Sequence, residues 1–168
     1  MNNLRVIYLA NKVWAADNNN KFPAQVSERL GGAKEKAAKG IAFPVFQVMS
    51  NELSTPKILV CPADAKRSGA VSFTTGFDNS HVSYFAGLDA DPDDAGRLLF
   101  GDSNLAIAGK PVKKGLLLVS KKDPVTWTSE RHISRGNIVT VSSMWENSSR
   151  WHQILAQSDL ATNRLAIP

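Results

Sequence analysis

Residues Phe100-Gly101-Asp102-Ser103-Asn104-Leu105 put a serine directly after a carboxylate, in a stretch that begins like a strand and ends like a turn. A serine nucleophile needs a histidine base, and that base needs a carboxylate to orient its ring. The chain has His81, His132 and His152. Ser129 stands three residues before His132, and Ser149 three before His152. A hydroxyl cannot hold an imidazolium as a carboxylate does. The expected role of the block is therefore structural, with Asp102 or Ser103 bonding the backbone of a turn.

The block resembles the Gly-Asp-Ser nucleophile block of the GDSL-type hydrolases. There it opens the chain, and its histidine follows an aspartate by three residues. An esterase-like hydrolase using Ser103 is an alternative reading; the expectation is that the chain is not an enzyme. Asp89, Asp91, Asp93 and Asp94 crowd carboxylates into one loop. Their alternation starts like a calcium-binding loop, but the sixth position is Asp94 rather than glycine and the twelfth is Phe100 rather than glutamate. A solvated acidic turn is expected. Asp89, Asp91 and Asp93 are the candidate calcium ligands of an alternative, extracytoplasmic calcium- or glycan-binding module. No other cofactor is expected. The histidines have no metal-ligand spacing, and Cys61, the single cysteine, excludes an intrachain disulfide and reads as a buried thiol.

The net charge of +5 is spread over Lys34, Lys36, Lys39, Lys66, Arg67, Lys113, Lys114, Lys121 and Lys122. No basic helix gathers these cations, so nucleic acid is not an expected partner. No run approaches the ~18 apolar residues of a membrane span. The expectation is a soluble chain, and its start inside a ready-made helix, without a leader, is what a trimmed fragment would show.

The elements that must position these residues begin with that helix. Over residues 1–20, at about 100° per residue, Arg5 and Lys12 share a narrow face. Leu4, Val6, Ile7, Tyr8, Ala10, Val13, Trp14 and Ala15 cover most of the remainder. Such a helix must be covered on more than one side. Asn2 or Asn3 can cap its start, Asn18-Asn19-Asn20 can reverse its end, and Phe22-Pro23 stops it.

A polar loop from Phe22 to Gly40 carries one short exposed helix. Phe43–Leu53 is a second helix with Pro44 in its first turn. Lys57–Val60 reads as extended, and Ala65–Ser80 as loop. Strands are expected at Val82–Leu88, Leu98–Asp102, Val125–Thr128 and Asn137–Val141, and Leu116–Val119 is an apolar run. Residues 109–115 form a turn, Trp151–Leu160 a C-terminal helix, and Asn163–Pro168 its tail. Helices segregated from a run of strands predict one α+β domain over 1–168, with the helix at 1–20 packed on a mainly antiparallel sheet in a head of residues 21–168.

One further resemblance runs over nearly the whole chain. Asn2-Asn3-Leu4-Arg5-Val6-Ile7, Asp17-Asn18-Asn19 and Phe22-Pro23 resemble the first helix of prepilin-type proteins related to the major pseudopilin of type II secretion, of the kind found in Planctomycetes and Verrucomicrobia. Pro56–Asp64, Ser83–Ala90, Gly101-Asp102, Arg131-His132 and Gly136-Asn137-Ile138 extend it. Two departures are Val6, where relatives have glutamine, and Val141–Trp145, where relatives turn with Ala-Asp-Gly. Serines do not supply positive φ cheaply, so the last hairpin is expected to be longer, or displaced toward Glu146-Asn147-Ser148.

The resemblance implies a pilin-like fold and a structural subunit of a type IV pilin-like or type II secretion assembly. It implies a location in the cell envelope, anchored in the inner membrane by a span upstream of Met1, with the domain facing the periplasm or surface. The partners it implies are other pilin-like subunits or secretion-apparatus proteins. Leu4, Ile7, Tyr8 and Trp14 are the expected assembly interface.

Overall fold

A computed structural model describes residues 2–129, 136–145, 151–156 and 161–168. The first helix, α1, spans Asn2–Asp17 and buries Leu4, Ile7, Ala10, Asn11, Trp14 and Ala15. Steps of three and four put these on one stripe. The reversal at its end is the expected one: Asn19 and Asn20 both adopt φ 54°, and the Asn20 N–H closes on the Ala15 carbonyl at 2.9 Å. At its start, Asn3 serves a different purpose. Its side-chain amide donates to the Val60 carbonyl at 3.1 Å and ties the helix to the next segment of chain.

The polar loop holds the short helix α2, Lys34–Ala38. The expected second helix is two pieces, α3 (Phe43–Gln47) and α4 (Ser50–Leu53). The break at Val48-Met49 lets Phe46, Met49 and Leu53 all face the core. Of Lys57–Val60 only Val60 is extended. Pro56–Leu59 forms a 3-10 turn capped by Thr55, whose hydroxyl accepts from the Lys57 N–H. A four-residue apolar run carries no period that separates these outcomes.

The strands are β1 (Tyr84–Gly87), β2 (Leu98–Asp102), β3 (Leu105–Ile107), β4 (Lys110–Pro111), β5 (Gly115–Ser120), β6 (Val125–Trp127), β7 (Ile138–Thr140) and β8 (Met144–Trp145). Helix α5, Trp151–Ala156, and strand β9, Thr162–Ile167, complete the described elements. A six-stranded sheet has the order β5-β9-β1-β2-β7-β8, and a smaller one the order β4-β3-β6; every pairing is antiparallel.

Two expectations are corrected here. The tail at 163–168 belongs to β9, an interior strand between β5 and β1. The expected turn at 109–115 contains β4, joined to β3 through Ala108 (φ 49°) and Gly109 (φ 75°), the positive pair that a two-residue hairpin requires. The last hairpin is also neither longer nor displaced. Thr140 and Ser143 close it, and its tip is stitched to the preceding connection: Val141 N–H to Arg97 O and Ser142 Oγ to Ala95 O. Those bonds hold the tip in place of an Asp-Gly turn.

Both faces of the large sheet are covered. Leu4, Ile7, Trp14, Phe22, Phe46 and Met49 share one core with Tyr84, Ala86, Phe100, Val139 and Ala166. Within it α1 lies closest to α4 and the Pro56–Leu59 turn. On the other face Phe85, Leu98, Val119, Ile138, Leu165 and Ile167 pack with Trp151, Ile154 and Leu155 of α5 and with the small sheet. Strands covered on two faces lose the polar alternation of a half-exposed strand; β1 and β2 are buried throughout.

The pairing of β1 with β2 is close enough to exclude a side chain at Gly87, where a Cβ would lie 1.9 Å from the Leu98 carbonyl oxygen. Backbone cannot step aside as a side chain can. Gly87→Ala is therefore expected to lose about 1–3 kcal/mol or more by overpacking, read as a lowered urea midpoint. An unchanged midpoint would mean the two strands separate at no cost.

Candidate functional site

The Gly-Asp-Ser block is a clamp between strands. Asp102 Oδ2 accepts from the Asn137 N–H at 2.7 Å and from its side-chain amide at 2.9 Å. The Ser103 N–H donates to the Ser83 carbonyl at 3.0 Å. At 4% exposure, Ser103 has no face turned to solvent from which a substrate could approach. His81 sits 3.2 Å from Asp78, on another segment. His132 and Ser149 fall outside the described residues, and His152 is described only by its place in α5.

The acidic loop is internally engaged. Asp89 accepts from the Arg164 backbone N–H at 2.7 Å and from its Nε at 2.8 Å, and its own carbonyl accepts from Arg97 Nη1 at 2.9 Å. Asp94 takes Arg97 Nε at 2.6 Å. Asp91 accepts the Asp93 N–H at 3.0 Å. Of the candidate ligands, Asp89 is thus drawn to Arg164 and Asp91 to the Asp93 N–H. Among the described residues no three His, Cys, Asp or Glu side chains converge as a metal site. The chemistry of this loop is that of a strap, binding the β1–β2 connection to β9 through Arg164.

Cys61 is half-buried rather than buried. Burial pushes its thiol pKa up, away from the thiolate that nucleophilic chemistry uses. It borders a shallow pocket of about 170 Å³ with Asn3, Tyr84, Asp102 and Asn137. Burial pushes the Tyr84 hydroxyl pKa up as well.

The helix α1 distributes its apolar residues differently from the sequence-based assignment. Leu4, Ile7 and Trp14, assigned to assembly, are buried in this chain's own core and have no surface to offer. Tyr8 is half-buried and donates its hydroxyl to the Val141 carbonyl at 3.2 Å. The apolar surface lies elsewhere: Leu9 is 57% exposed and Val13 55%, with Val6 half-buried beside them.

At about 100° per residue, Val6, Leu9 and Val13 fall within about 60° of one another and across the helix from Leu4, Ile7 and Asn11. Arg5 and Lys12 run along one border of this ridge, the Lys12 ammonium 5.8 Å from the Phe22 ring centroid. Leu9 has no part in the sequence-based assignment. The signal that finds it is angular: it stands about 180° from the middle of the stripe that the core takes.

No helix among the described residues is long and apolar enough to cross a membrane. No family model matches the chain, and no curated protein or solved structure matches it.

Proposed function

We propose that this chain is a structural subunit of a pilin-like or pseudopilus-like assembly in the cell envelope, acting through the outer face of α1. The observation that carries this reading is the Val6–Leu9–Val13 ridge. Single exposed apolar residues are ordinary on any surface; these three are successive turns of one helix, facing away from the core that the same helix completes. Fully burying a Leu or Val side chain contributes about 1.5–3 kcal/mol. With Leu9 and Val13 little more than half exposed, each gains roughly half of that on contact, and a repeating assembly collects the gain at every subunit. The antiparallel sheet behind α1 agrees with the pilin-like arrangement that the sequence resemblance implies. Neighbouring subunits or secretion-apparatus proteins are the partners, and a membrane span upstream of Met1 is the anchor. The function requires no catalytic residue and no cofactor.

The test uses the full-length protein in its own cells. In a Cys61→Ser background, Leu9→Cys is expected to crosslink into multimers on mild oxidation. In the otherwise natural chain, the pair Leu9→Asp and Val13→Asp is expected to abolish assembly while changing the head's stability by no more than about 0.5 kcal/mol each, as surface substitutions do. Monomers only, or assembly undisturbed by the two aspartates, would remove the ridge from the mechanism. The reading frame upstream of Met1 is a second check: it must encode an apolar run of about 20 residues behind a short basic leader.

A further inference from the structure

Four cations from separate stretches of chain meet at one cavity. Lys21 follows α1, Lys34 opens α2, Arg97 precedes β2 and Arg164 lies in β9, and with Gln25 and Asp89 they line a hollow of about 390 Å³. Asp89 is the only carboxylate among the described residues of that lining. Both its oxygens are already taken by Arg164, Oδ2 by the backbone N–H and Oδ1 by the guanidinium. Arg97 is held by the Asp94 carboxylate, which stands outside the lining, and by the Asp89 carbonyl. Counting both aspartates, four positive charges face two negative ones.

That pairing fixes the two arginines without using all their donors. Nη2 of Arg97 and Nη1 of Arg164 make no hydrogen bond among the described residues. The Gln25 side-chain oxygen accepts the Phe22 N–H at 2.8 Å, which leaves its amide nitrogen as a donor. Lys21 and Lys34 are exposed and join no ion pair among the described residues. The hollow therefore offers donors from five side chains, while its one carboxylate is spent. Such a lining is complementary to a ligand that brings acceptors and negative charge. Its volume lies near the low end of the ~300–1,000 Å³ of small-molecule sites. No aromatic ring lines it, so it has no platform on which a base stacks. The adjoining hollow shares Lys21, Gln25 and Lys34 but brings in Asp17, which repels an anion reaching that way. The fitting occupant is compact, with its charges at the four-cation end.

We propose that this cavity binds a compact organic anion carrying at least two acidic groups, carboxylate or phosphate. Arg97 and Arg164, held by Asp94 and Asp89, supply donors in fixed positions. Lys21 and Lys34 supply the uncompensated charge.

The test is isothermal titration calorimetry at low salt with two probes, citrate for the carboxylate source and fructose 1,6-bisphosphate for the phosphate source. Uncharged sucrose is the control. At least one probe is expected to bind with a Kd of about 1 mM or tighter, weakening as salt screens the charges; the tighter probe identifies the acidic group. The Gln25 side-chain amide signal in NMR is expected to shift on binding. Lys21→Ala combined with Lys34→Ala is expected to weaken binding at least about tenfold. Both positions are exposed, and an unchanged urea midpoint confirms the fold. Lys113→Ala combined with Lys114→Ala removes the same charge elsewhere on the surface and is expected to leave the Kd within about twofold.

The proposal is overturned if neither probe binds at about 10 mM, if sucrose binds as well as they do, or if the Gln25 signal stays unmoved. Equal weakening by the two double variants would reduce the effect to overall charge and overturn it too. Heparin binding while both compact probes fail would assign the cations to a long polyanion and do the same. The cavity is separate from the assembly ridge: Leu9→Asp is expected to leave probe binding unchanged, so each reading can fail without the other.

Discussion

Asp64→Ala is expected to destabilise the chain by about 3–5 kcal/mol, the cost of breaking a buried ion pair by removing one partner. The residue lies in the turn after Cys61-Pro62 and is 4% exposed. Its carboxylate accepts from Ser83 Oγ at 2.8 Å, from Arg67 Nη1 at 3.0 Å and from the Lys66 N–H at 3.1 Å. The Arg67 side chain is itself only 8% exposed, and it also donates to the Pro168 carbonyl at 3.1 Å. One carboxylate therefore links the first turn of chain beneath α1, the entry to β1 and the end of β9. Removing it takes the Asp64 carboxylate away from a guanidinium whose side chain is 8% exposed.

The same site carries a pH dependence. Burial pushes the Asp64 carboxyl pKa up, but the hydrogen bonds from Arg67, Ser83 and the Lys66 N–H outweigh it and hold the group below its usual 3.8. A carboxylate with a lowered folded-state pKa binds protons more readily when unfolded. Its contribution is present above the unfolded value, near pH 4, and is lost as pH falls through the folded value. Urea midpoints measured from pH 7 down to pH 2 are expected to fall steeply for the natural chain below about pH 4. For Asp64→Asn they start lower and fall less, so the two curves converge in acid. Parallel curves would show that Asp64 is not the group whose protonation loosens the fold.

What the sequence makes legible is what local chemistry dictates. The limits of α1 follow from its asparagines, whose side chains tolerate positive φ, and from Phe22-Pro23. Strands β1, β2, β6 and β7 follow from runs of β-formers between glycine-rich breaks. The missed elements are those decided by distant partners. Thr162-Asn163-Arg164-Leu165-Ala166-Ile167 is a weak strand by composition, and it becomes an interior one because β5 and β1 flank it. Lys57–Leu59 is turned by Pro56 and the Thr55 cap, then held by the Ser83 N–H donating to the Leu59 carbonyl.

The chemistry follows the same division. Gly101-Asp102-Ser103 is readable as a turn in the sequence, but the role of Asp102 depends on Asn137, thirty-five residues away. The acidic loop reads as four like charges until Arg97 and Arg164 arrive to neutralise two of them. The apolar surplus of α1 is visible from composition, but which side the core takes is a tertiary fact. That is why Leu4, Ile7 and Trp14 exchange places with Leu9 and Val13 as candidates for a partner surface.

Trp14→Ala and Val13→Ala, at adjacent positions, are expected to part company. Trp14 is buried in the core shared with Phe22 and Phe46, and truncating a buried tryptophan costs about 3–5 kcal/mol through lost transfer energy and the cavity left behind. Val13, at 55% exposure, touches little of its own chain, and its truncation is expected to change stability by no more than about 0.5 kcal/mol. Urea midpoints on the isolated domain give both values. For the proposed assembly the order is expected to reverse: Val13→Ala weakens it by trimming the ridge, and Trp14→Ala acts only through the fraction of protein that is unfolded. A stability loss at Val13 comparable to that at Trp14 would show that the outer ridge supports the fold itself. Its exposure would then have no surplus to explain, and the physical case for assembly through α1 would end there.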